Sequence, residues 1–311
     1  MTLRFVAFTL VSASFLPLVS CKKDSDLPLM AGNTQAAAAE GEVLYVKAKA
    51  ADDAGQVKRA IKLYDQTATR YPFAPSASQA RFRQAELLEQ KGDIVKSFEA
   101  YDQFLSRFQA SGLYTTARNR QAAMAQGAAD GDVKSSMLGL KTRLSLDKTV
   151  EMLGKVRDNA PQSPTAAKAQ FTTGQLYEGK KKGKESIAAY RQLVRDQPAS
   201  SQAPESLFRV GLILMQEADS GNQNQANLDL AREAFNDYLI QYPGHSRNGE
   251  ARQMLANLGS RDLQRSYDIA EFYQKTGQSE SAKVYYRDIL KRSKSGPLHD
   301  QARARLKELG E

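Results

Sequence analysis

The stretch that decides the fold runs from Tyr45 to Pro72 and reads YVKAKAADDAGQVKRAIKLYDQTATRYP. It carries small residues at Ala48 and Ala60, an aromatic residue at Tyr64 and a proline at its end. The same spacing returns at Gly174, Ser186, Tyr190 and Pro198, and again at Ala270, Ala282 and Tyr286. Looser copies begin at Ala85 and Gly211. A pattern that recurs in one register indicates a repeat protein.

The register describes two helices that cross closely. Ala48 and Ala60 would let the two backbones approach, and Tyr64, one turn later, would fill the space beside the contact. Gly55 falls where a glycine in the left-handed conformation ends a helix. Pro72 stops the second helix because it has no N–H for a further turn. A helix pair repeated about every 34 residues is typical of tetratricopeptide repeats. The sequence therefore predicts an all-α fold, a tetratricopeptide-like α-solenoid of about six helix pairs with a C-terminal capping helix.

The predicted organisation has five parts. These are a lipoprotein signal peptide at 1–20, a lipidated flexible tether at 21–41, N-terminal helix pairs at 42–126, an irregular insertion at 127–145, and C-terminal pairs with a cap at 146–311. An extra helix is expected at 133–144, a loop from Asp219 to Gln225, and a helix break near Gly259. No segment shows the alternation typical of a β-strand.

The N-terminal segment has the pattern of an exported lipoprotein. Arg4 precedes an apolar run, Phe5 to Val19, that is too short to span a membrane. The sequence Leu18-Val19-Ser20-Cys21 is similar to a bacterial lipobox, in which the thiol is acylated after cleavage. The alternative is an ordinary secretory signal with an incidental cysteine. Lys22, rather than an aspartate, favours the outer membrane by resemblance to enterobacterial sorting rules. We expect a protein anchored by lipid to the periplasmic face of the outer membrane.

Catalysis finds little support in the sequence. Cys21 is the only cysteine, which excludes an intrachain disulfide and a cysteine-rich metal site. The two histidines, His245 and His299, are distant in sequence and are predicted to lie in exposed loops. None of the common phosphate-, nucleotide- or metal-binding motifs occurs. The formal charge of +9 comes without a nucleic-acid-binding motif. We expect that the protein is not an enzyme and that it binds no cofactor, metal or nucleic acid.

One constellation suggests a binding groove. Five aromatic residues stand three positions before the first small residue: Tyr45, Phe82, Phe171, Phe208 and Tyr267. Basic residues accompany them at Lys49, Arg81 and Lys168. First helices line the concave face of tetratricopeptide arrays, so this aromatic ladder, with Lys49, is a candidate peptide groove. The alternative is that the rings pack between neighbouring repeats, because an exposed ladder would favour aggregation.

Near the C-terminus, residues 261–294 carry an excess of basic side chains. Lys283 and Arg287 are candidates for docking an acidic partner, whose capture such charge would speed. The alternative is an ordinary solvated helix face.

The mature chain resembles the BamD (YfiO) type of lipoprotein, a tetratricopeptide subunit of the outer-membrane β-barrel assembly machinery. The resemblance lies in Cys21, in RYPFAP at 70–75, in AREAF at 231–235 with Pro243, and in YDIAEFY at 267–273. It implies a non-catalytic scaffold that binds unfolded outer-membrane proteins, a periplasmic domain of the barrel-forming subunit and other barrel-assembly subunits. An additional pair around 164–198 and the segment 127–146 depart from the family pattern. An envelope lipoprotein serving cell division, peptidoglycan coordination or pilus assembly stays open as an alternative.

Overall fold

A computed structural model of the chain describes residues 34–137, 140–221 and 225–311. Within these ranges the chain forms thirteen α-helices and one two-stranded sheet. The described residues up to Phe104 form one compact unit, and those from Leu105 onward form a second. We call them the N-terminal and the C-terminal unit. No helix in the described ranges is both long and apolar enough to cross a membrane.

The N-terminal unit is built from helices that pack in chain order. They are α1 (Thr34–Asp53), α2 (Val57–Arg70), α3 (Ala77–Gln90) and the greater part of α4 (Ile94–Arg107). Helix α2 packs against both α1 and α3. Ala48 and Ala60 are fully buried where α1 meets α2, and Tyr64 is buried beside them. Gly55 follows α1 with φ +67°, a conformation that costs a glycine little. The predicted crossing and helix end are therefore confirmed.

The C-terminal unit continues the helix pairs. It contains α5 (Tyr114–Asp130), β1 (Lys134–Met137), β2 (Leu140–Arg143), α6 (Leu146–Asn159), α7 (Pro164–Gly179), α8 (Gly183–Asp196), α9 (Ala203–Ser220), α10 (Gln225–Gln241), α11 (Asn248–Lys275), α12 (Ser279–Arg292) and α13 (Pro297–Glu308). The ring of Tyr190 fits against Gly174, where an added Cβ would lie 2.6 Å from the ring atom Cδ1. Ser186, the second small residue of this pair, donates a 2.9 Å hydrogen bond to the Gly174 carbonyl. Serine thus serves at this crossing as both a small side chain and a donor.

The first helix begins earlier than the sequence predicted. Helix α1 starts at Thr34 rather than at residue 42, so the last part of the expected tether is helical. The physical reason is the alanine run at 36–39, since alanine has the highest helix propensity. Residues 21–33, the rest of the tether, and the signal peptide at 1–20 lie outside the described residues.

The insertion contains a β-hairpin, not the expected helix. Strands β1 and β2 pair antiparallel, with Lys134 opposite Arg143 and Met137 opposite Leu140. Gly131, at φ +84°, ends α5, and Ser145 caps α6 by accepting a hydrogen bond from the Lys148 amide. With a helix ended on one side and another begun on the other, local strand pairing satisfies the backbone between them. The expectation of no strand and of a helix at 133–144 was wrong.

Helix α11 runs without interruption through Gly259, so the predicted break is also wrong. A glycine inside a helix costs only about 1 kcal/mol relative to alanine. Burial of the neighbouring Leu258, which is fully shielded from solvent, opposes that cost. The predicted loop from Asp219 to Gln225 is shorter than expected, because α9 continues to Ser220 and α10 begins at Gln225. Residues 222–224 of that loop lie outside the described residues.

Candidate peptide-binding groove

A cavity of about 690 Å³ opens in the C-terminal unit between α5, α6 and α7. We call it the α5–α7 groove. Helix α5 lines it with Asn119, Ala122, Ala123, Gln126, Gly127 and Asp130. These positions recur at intervals of three and four residues, so they form one face of the helix. Helix α6 adds Leu153 and Val156, helix α7 adds Pro164, Thr165, Lys168 and Ala169, and Gln202 precedes α9.

The groove exists because the facing side chains are small. Ala122, Ala123 and Gly127 on α5 face a surface that includes Ala169 on α7, so the space between the helices is left unfilled. Ala123 is exposed, and its methyl group offers apolar surface without blocking access. Such a channel lets the backbone of an extended chain approach the helices closely.

Polar groups along the groove match the needs of a peptide backbone. The amides of Asn119, Gln126 and Gln202 each provide donors and an acceptor. Gln126 already donates a 3.0 Å hydrogen bond to Asp130, which orients its side chain along α5. Lys168 is exposed on the opposite wall and makes no ion pair with any described residue. The arrangement suits an extended peptide held by amide hydrogen bonds and contacted by one cation.

The aromatic ladder lies in the packing of the helix pairs. Each ring contacts the aromatic residue of its partner helix, with centroids 5.8 Å apart for Tyr45 and Tyr64, 5.6 Å for Phe82 and Tyr101, 5.6 Å for Phe171 and Tyr190, 5.3 Å for Phe208 and Phe235, and 5.6 Å for Tyr267 and Tyr286. Phe208 has no exposed surface, and Phe82 and Tyr267 are buried. A buried ring cannot line a groove, so the structure corrects the predicted role of these three to packing. Tyr45 and Phe171, half-buried, share the same contact.

The basic companions of the ladder separate in the structure. Lys49 forms a 3.3 Å ion pair with Asp53 on the exposed side of α1. Arg81 is buried and bridges α3 to α2, with its guanidinium 2.6 Å from Asp65 and 2.6 Å from the Thr69 hydroxyl. Of the three, Lys168 is the one that the structure places in the α5–α7 groove.

The candidate docking residues on α12 are both engaged within the C-terminal unit. Lys283 pairs with Glu280 at 2.7 Å. Arg287 donates two 2.6 Å hydrogen bonds to the two carboxylate oxygens of Glu311, and this pairing lowers the pKa of Glu311. A partner that takes Arg287 must therefore displace Glu311.

Shared carboxylates fix the spacing of successive first helices. Glu178 on α7 accepts a 2.8 Å hydrogen bond from the Tyr190 hydroxyl and a 2.9 Å bond from Arg209 on α9. In the N-terminal unit, Asp52 on α1 accepts in the same way from Tyr64 at 3.3 Å and from Arg83 on α3 at 2.7 Å. Burial first, and the neighbouring carboxylate second, raise the pKa of both tyrosines. The α7–α9 bridge holds one wall of the groove in place.

His245 lies in a loop, as predicted, but is not exposed, and His299 lies in neither a loop nor an exposed position. His245 is half-buried, and its Nδ1 lies 2.6 Å from the Tyr238 hydroxyl. His299 is buried within α13, with its Nδ1 3.0 Å from Asp300. Among the described residues, no group of three or more histidine, cysteine or acidic side chains gathers in a way that could hold a metal.

Sequence reasoning missed the α5–α7 groove itself. Alanine, glycine and glutamine carry no motif, whereas the aromatic residues recur in a clear register. The one available signal was the row from Asn119 to Asp130, in which small and amide side chains recur on one face of a helix. Cys21, the predicted lipidation site, lies outside the described residues.

Comparisons with known proteins found solved structures of low similarity and two family matches. No curated protein matches the chain. The solved structures that resemble it include apo RapI, with 14% identity over 86% of this chain and 76% of that chain and a TM-score of 0.34. MamA from Desulfovibrio magneticus RS-1 has 13% identity over 69% and 98%, with a TM-score of 0.29. YrrB, described as a TPR protein with an unusual peptide-binding site, has 14% identity over 73% and 92%, with a TM-score of 0.29.

Two segments match the tetratricopeptide repeat family directly, residues 45–112 and residues 264–295. The first contains the Tyr45–Pro72 stretch, and the second contains Ala270, Ala282 and Tyr286. Between them, Gly174, Ser186 and Tyr190 make the same helix crossing. The fold is thus a tetratricopeptide-like helical repeat, and the two matched segments are tetratricopeptide repeats.

Proposed function

We propose that this protein is a lipid-anchored, non-catalytic scaffold of the outer-membrane β-barrel assembly machinery. The observation that carries the proposal is the α5–α7 groove, a channel of about 690 Å³ lined by small side chains and amides. Tetratricopeptide repeats imply binding of peptides or proteins, which agrees with such a channel. The resemblance of the segments 70–75, 231–243 and 267–273 to barrel-assembly lipoproteins supports the particular machine.

The groove is suited to unfolded segments of outer-membrane proteins. A barrel strand before assembly is an extended chain whose backbone groups are unpaired. The amides of Asn119 and Gln202 supply both donors and acceptors for such groups. Alanine and glycine walls accept varied side chains without a specific pocket, which suits a scaffold that receives many clients.

The remaining parts of the proposal concern position and assembly. Acylation at Cys21 would anchor the chain to the periplasmic face of the outer membrane, since each buried CH₂ of an acyl chain contributes about 0.8 kcal/mol. The surface of α12 around Lys283 and Arg287 would dock an acidic periplasmic domain of the barrel-forming subunit. Lys283 and Arg287 are already paired with Glu280 and Glu311, so a docking partner would replace these carboxylates with its own. Such an exchange of exposed ion pairs is sensitive to salt.

The test is site-specific photocrosslinking in the cell envelope. A photoreactive residue at Ala123, exposed in the groove, is expected to capture unfolded outer-membrane proteins. The matched control carries it at Glu185, exposed on α8 and outside the groove. In the same detergent extract, a barrel-assembly subunit should co-purify with the protein. Capture of cell-division, peptidoglycan or pilus proteins at Ala123, with no barrel-assembly subunit present, would contradict the proposal.

A further inference from the structure

The turn between α2 and α3 exposes a large aromatic side chain. Phe73 has 73% of its surface in solvent, although it stands in the segment Arg70–Ala74, which leads from the last residue of α2 toward α3. Apolar side chains of this size usually contribute to a core or an interface. Phe73 therefore holds a large apolar surface on an ordered turn, where it is available for a contact outside the described residues.

This turn is fastened to the start of α1. The Tyr71 hydroxyl donates a 3.0 Å hydrogen bond to Glu40, and the Ser76 amide donates a 2.9 Å bond to Glu42. Between them, Gly41 lies so close to the turn that an added Cβ would stand 2.7 Å from the Cβ of Ala74. Phe73 and the first turns of α1 thus belong to one rigid end of the N-terminal unit.

A cation lies three residues before Phe73, over the neighbouring ring of Tyr71. The guanidinium carbon of Arg70 lies 5.7 Å from the centroid of the Tyr71 ring, and Arg70 forms no ion pair with any described residue. Its Nε atom is buried and has no hydrogen-bond partner there. An arginine and an exposed phenylalanine in one short segment suit a membrane interface, where an aromatic ring reaches the acyl boundary and a cation meets phosphate.

The length of chain before α1 places this end near a bilayer. Twelve residues, 22–33, separate Cys21 from Thr34. A segment of that length reaches at most about 45 Å when extended and averages about 20 Å as a coil. An acyl anchor at Cys21 therefore keeps the start of α1, and the turn fastened to it, within a few tens of ångströms of the membrane.

We propose that the Arg70–Ala74 turn docks on the lipid surface, with Phe73 inserted at the interface and Arg70 on the phosphates of the headgroups. The docking rests on the lipid anchor of the proposed function. It adds a second, non-covalent contact, and the two contacts together orient the N-terminal unit on the membrane.

The chain contains no tryptophan, so one substitution creates a unique probe. The full acylated protein carrying Phe73→Trp is reconstituted into phosphatidylethanolamine–phosphatidylglycerol vesicles. Its emission is expected to shift to shorter wavelength and to lose intensity when the lipids carry a quencher. Phe272→Trp is the matched control, because Phe272 is 61% exposed and belongs to the C-terminal unit. Adding Arg70→Gln to Phe73→Trp is expected to lessen the quenching.

Two readouts separate the anchor from the docking. Sedimentation with vesicles reports the anchor, and tryptophan emission reports the docking. Sedimentation without a change at Phe73→Trp overturns the docking alone and leaves the proposed anchor intact. Failure to sediment overturns both. An equal shift for Phe272→Trp, or a shift at Phe73→Trp that grows with protein concentration without lipid, also overturns the docking, the latter in favour of self-association.

Discussion

The hydroxyl of Tyr190 donates a 2.8 Å hydrogen bond to Glu178, and Arg209 from the next first helix donates to the same carboxylate at 2.9 Å. Tyrosine stands twelve residues after its acid and arginine thirty-one after it. Asp52, Tyr64 and Arg83 repeat both intervals. One carboxylate thus ties a helix pair together and joins it to the pair that follows. The intervals are visible in the sequence, but their chemistry appears only when the helices are stacked.

Tyr190→Phe is expected to lower the free energy of unfolding by about 1.5 kcal/mol, the lower end for a hydrogen bond to a charged group. The lower end applies because Glu178 is one-third exposed and keeps its bond to Arg209. Urea denaturation measures the change. Tyr273→Phe is the control, since the Tyr273 hydroxyl makes no hydrogen bond with a described residue, and its effect should stay within about 0.5 kcal/mol. Equal effects would show that the bridge does not stabilise the fold.

The buried tyrosines should titrate late. Burial, with the nearby Tyr267 and Glu271, raises the pKa of Tyr286 from 10.0 to about 12. Because the folded-state pKa is the higher one, the protonated phenol stabilises the fold below about pH 10, and this contribution is lost as the pH rises through about 12. Absorbance at alkaline pH should show a late-titrating group that urea abolishes and that Tyr286→Phe removes. If the late-titrating group persists in Tyr286→Phe, it does not belong to Tyr286.

Two glycines should respond to alanine with opposite signs. At Gly174 an added Cβ would stand 2.6 Å from Cδ1 of Tyr190, so Gly174→Ala is expected to destabilise by about 1–3 kcal/mol through overpacking. At Gly154, inside α6, a Cβ meets nothing within 4 Å, so Gly154→Ala should stabilise by about 0.5–1 kcal/mol. Thermal and urea unfolding report both. Destabilisation of similar size at the two positions would mean that close helix approach is not what Gly174 provides.

The sequence predicted the helix pairs well and the groove poorly. Ala48, Ala60 and Tyr64 recur in register because close crossing restricts residue size, and such a restriction leaves a readable pattern. The groove depends on unfilled space between helices, and Ala123 contributes to it only because its side chain is small. A small side chain leaves no distinctive pattern in the sequence. The aromatic ladder did not predict the groove, because regularly spaced aromatic residues serve packing as readily as binding. Phe208 serves packing, and the Arg247 guanidinium lies 3.6 Å from the centroid of its ring. The strands at 134–137 and 140–143 were not predicted, because four-residue strands are too short to display alternation.

Removing the Glu311 carboxylate, which pairs with Arg287, should speed docking of a partner on α12. Glu311→Gln leaves Arg287 without its carboxylate partner, so association with an acidic periplasmic domain is expected to become faster at low salt. Surface plasmon resonance at two salt concentrations measures the rate. Glu308→Gln, which frees Arg305 from a 2.8 Å pair, is the matched control. A rate unchanged by Glu311→Gln would remove Arg287 from the docking surface.

Filling the groove should weaken peptide binding and leave the fold intact. Ala123 is exposed on the groove face of α5, so Ala123→Leu places three added carbons into the channel without displacing a buried neighbour. The expected loss of affinity for an extended outer-membrane-protein peptide is about ten-fold or more, since a clash that costs about 1.4 kcal/mol gives that factor. Ala256→Leu makes the same change at an exposed position on α11, outside the groove, and should bind as the parent does. Fluorescence anisotropy measures binding, and circular dichroism checks the helices. If the two variants bind equally well, the peptide lies elsewhere and the α5–α7 groove is not the site.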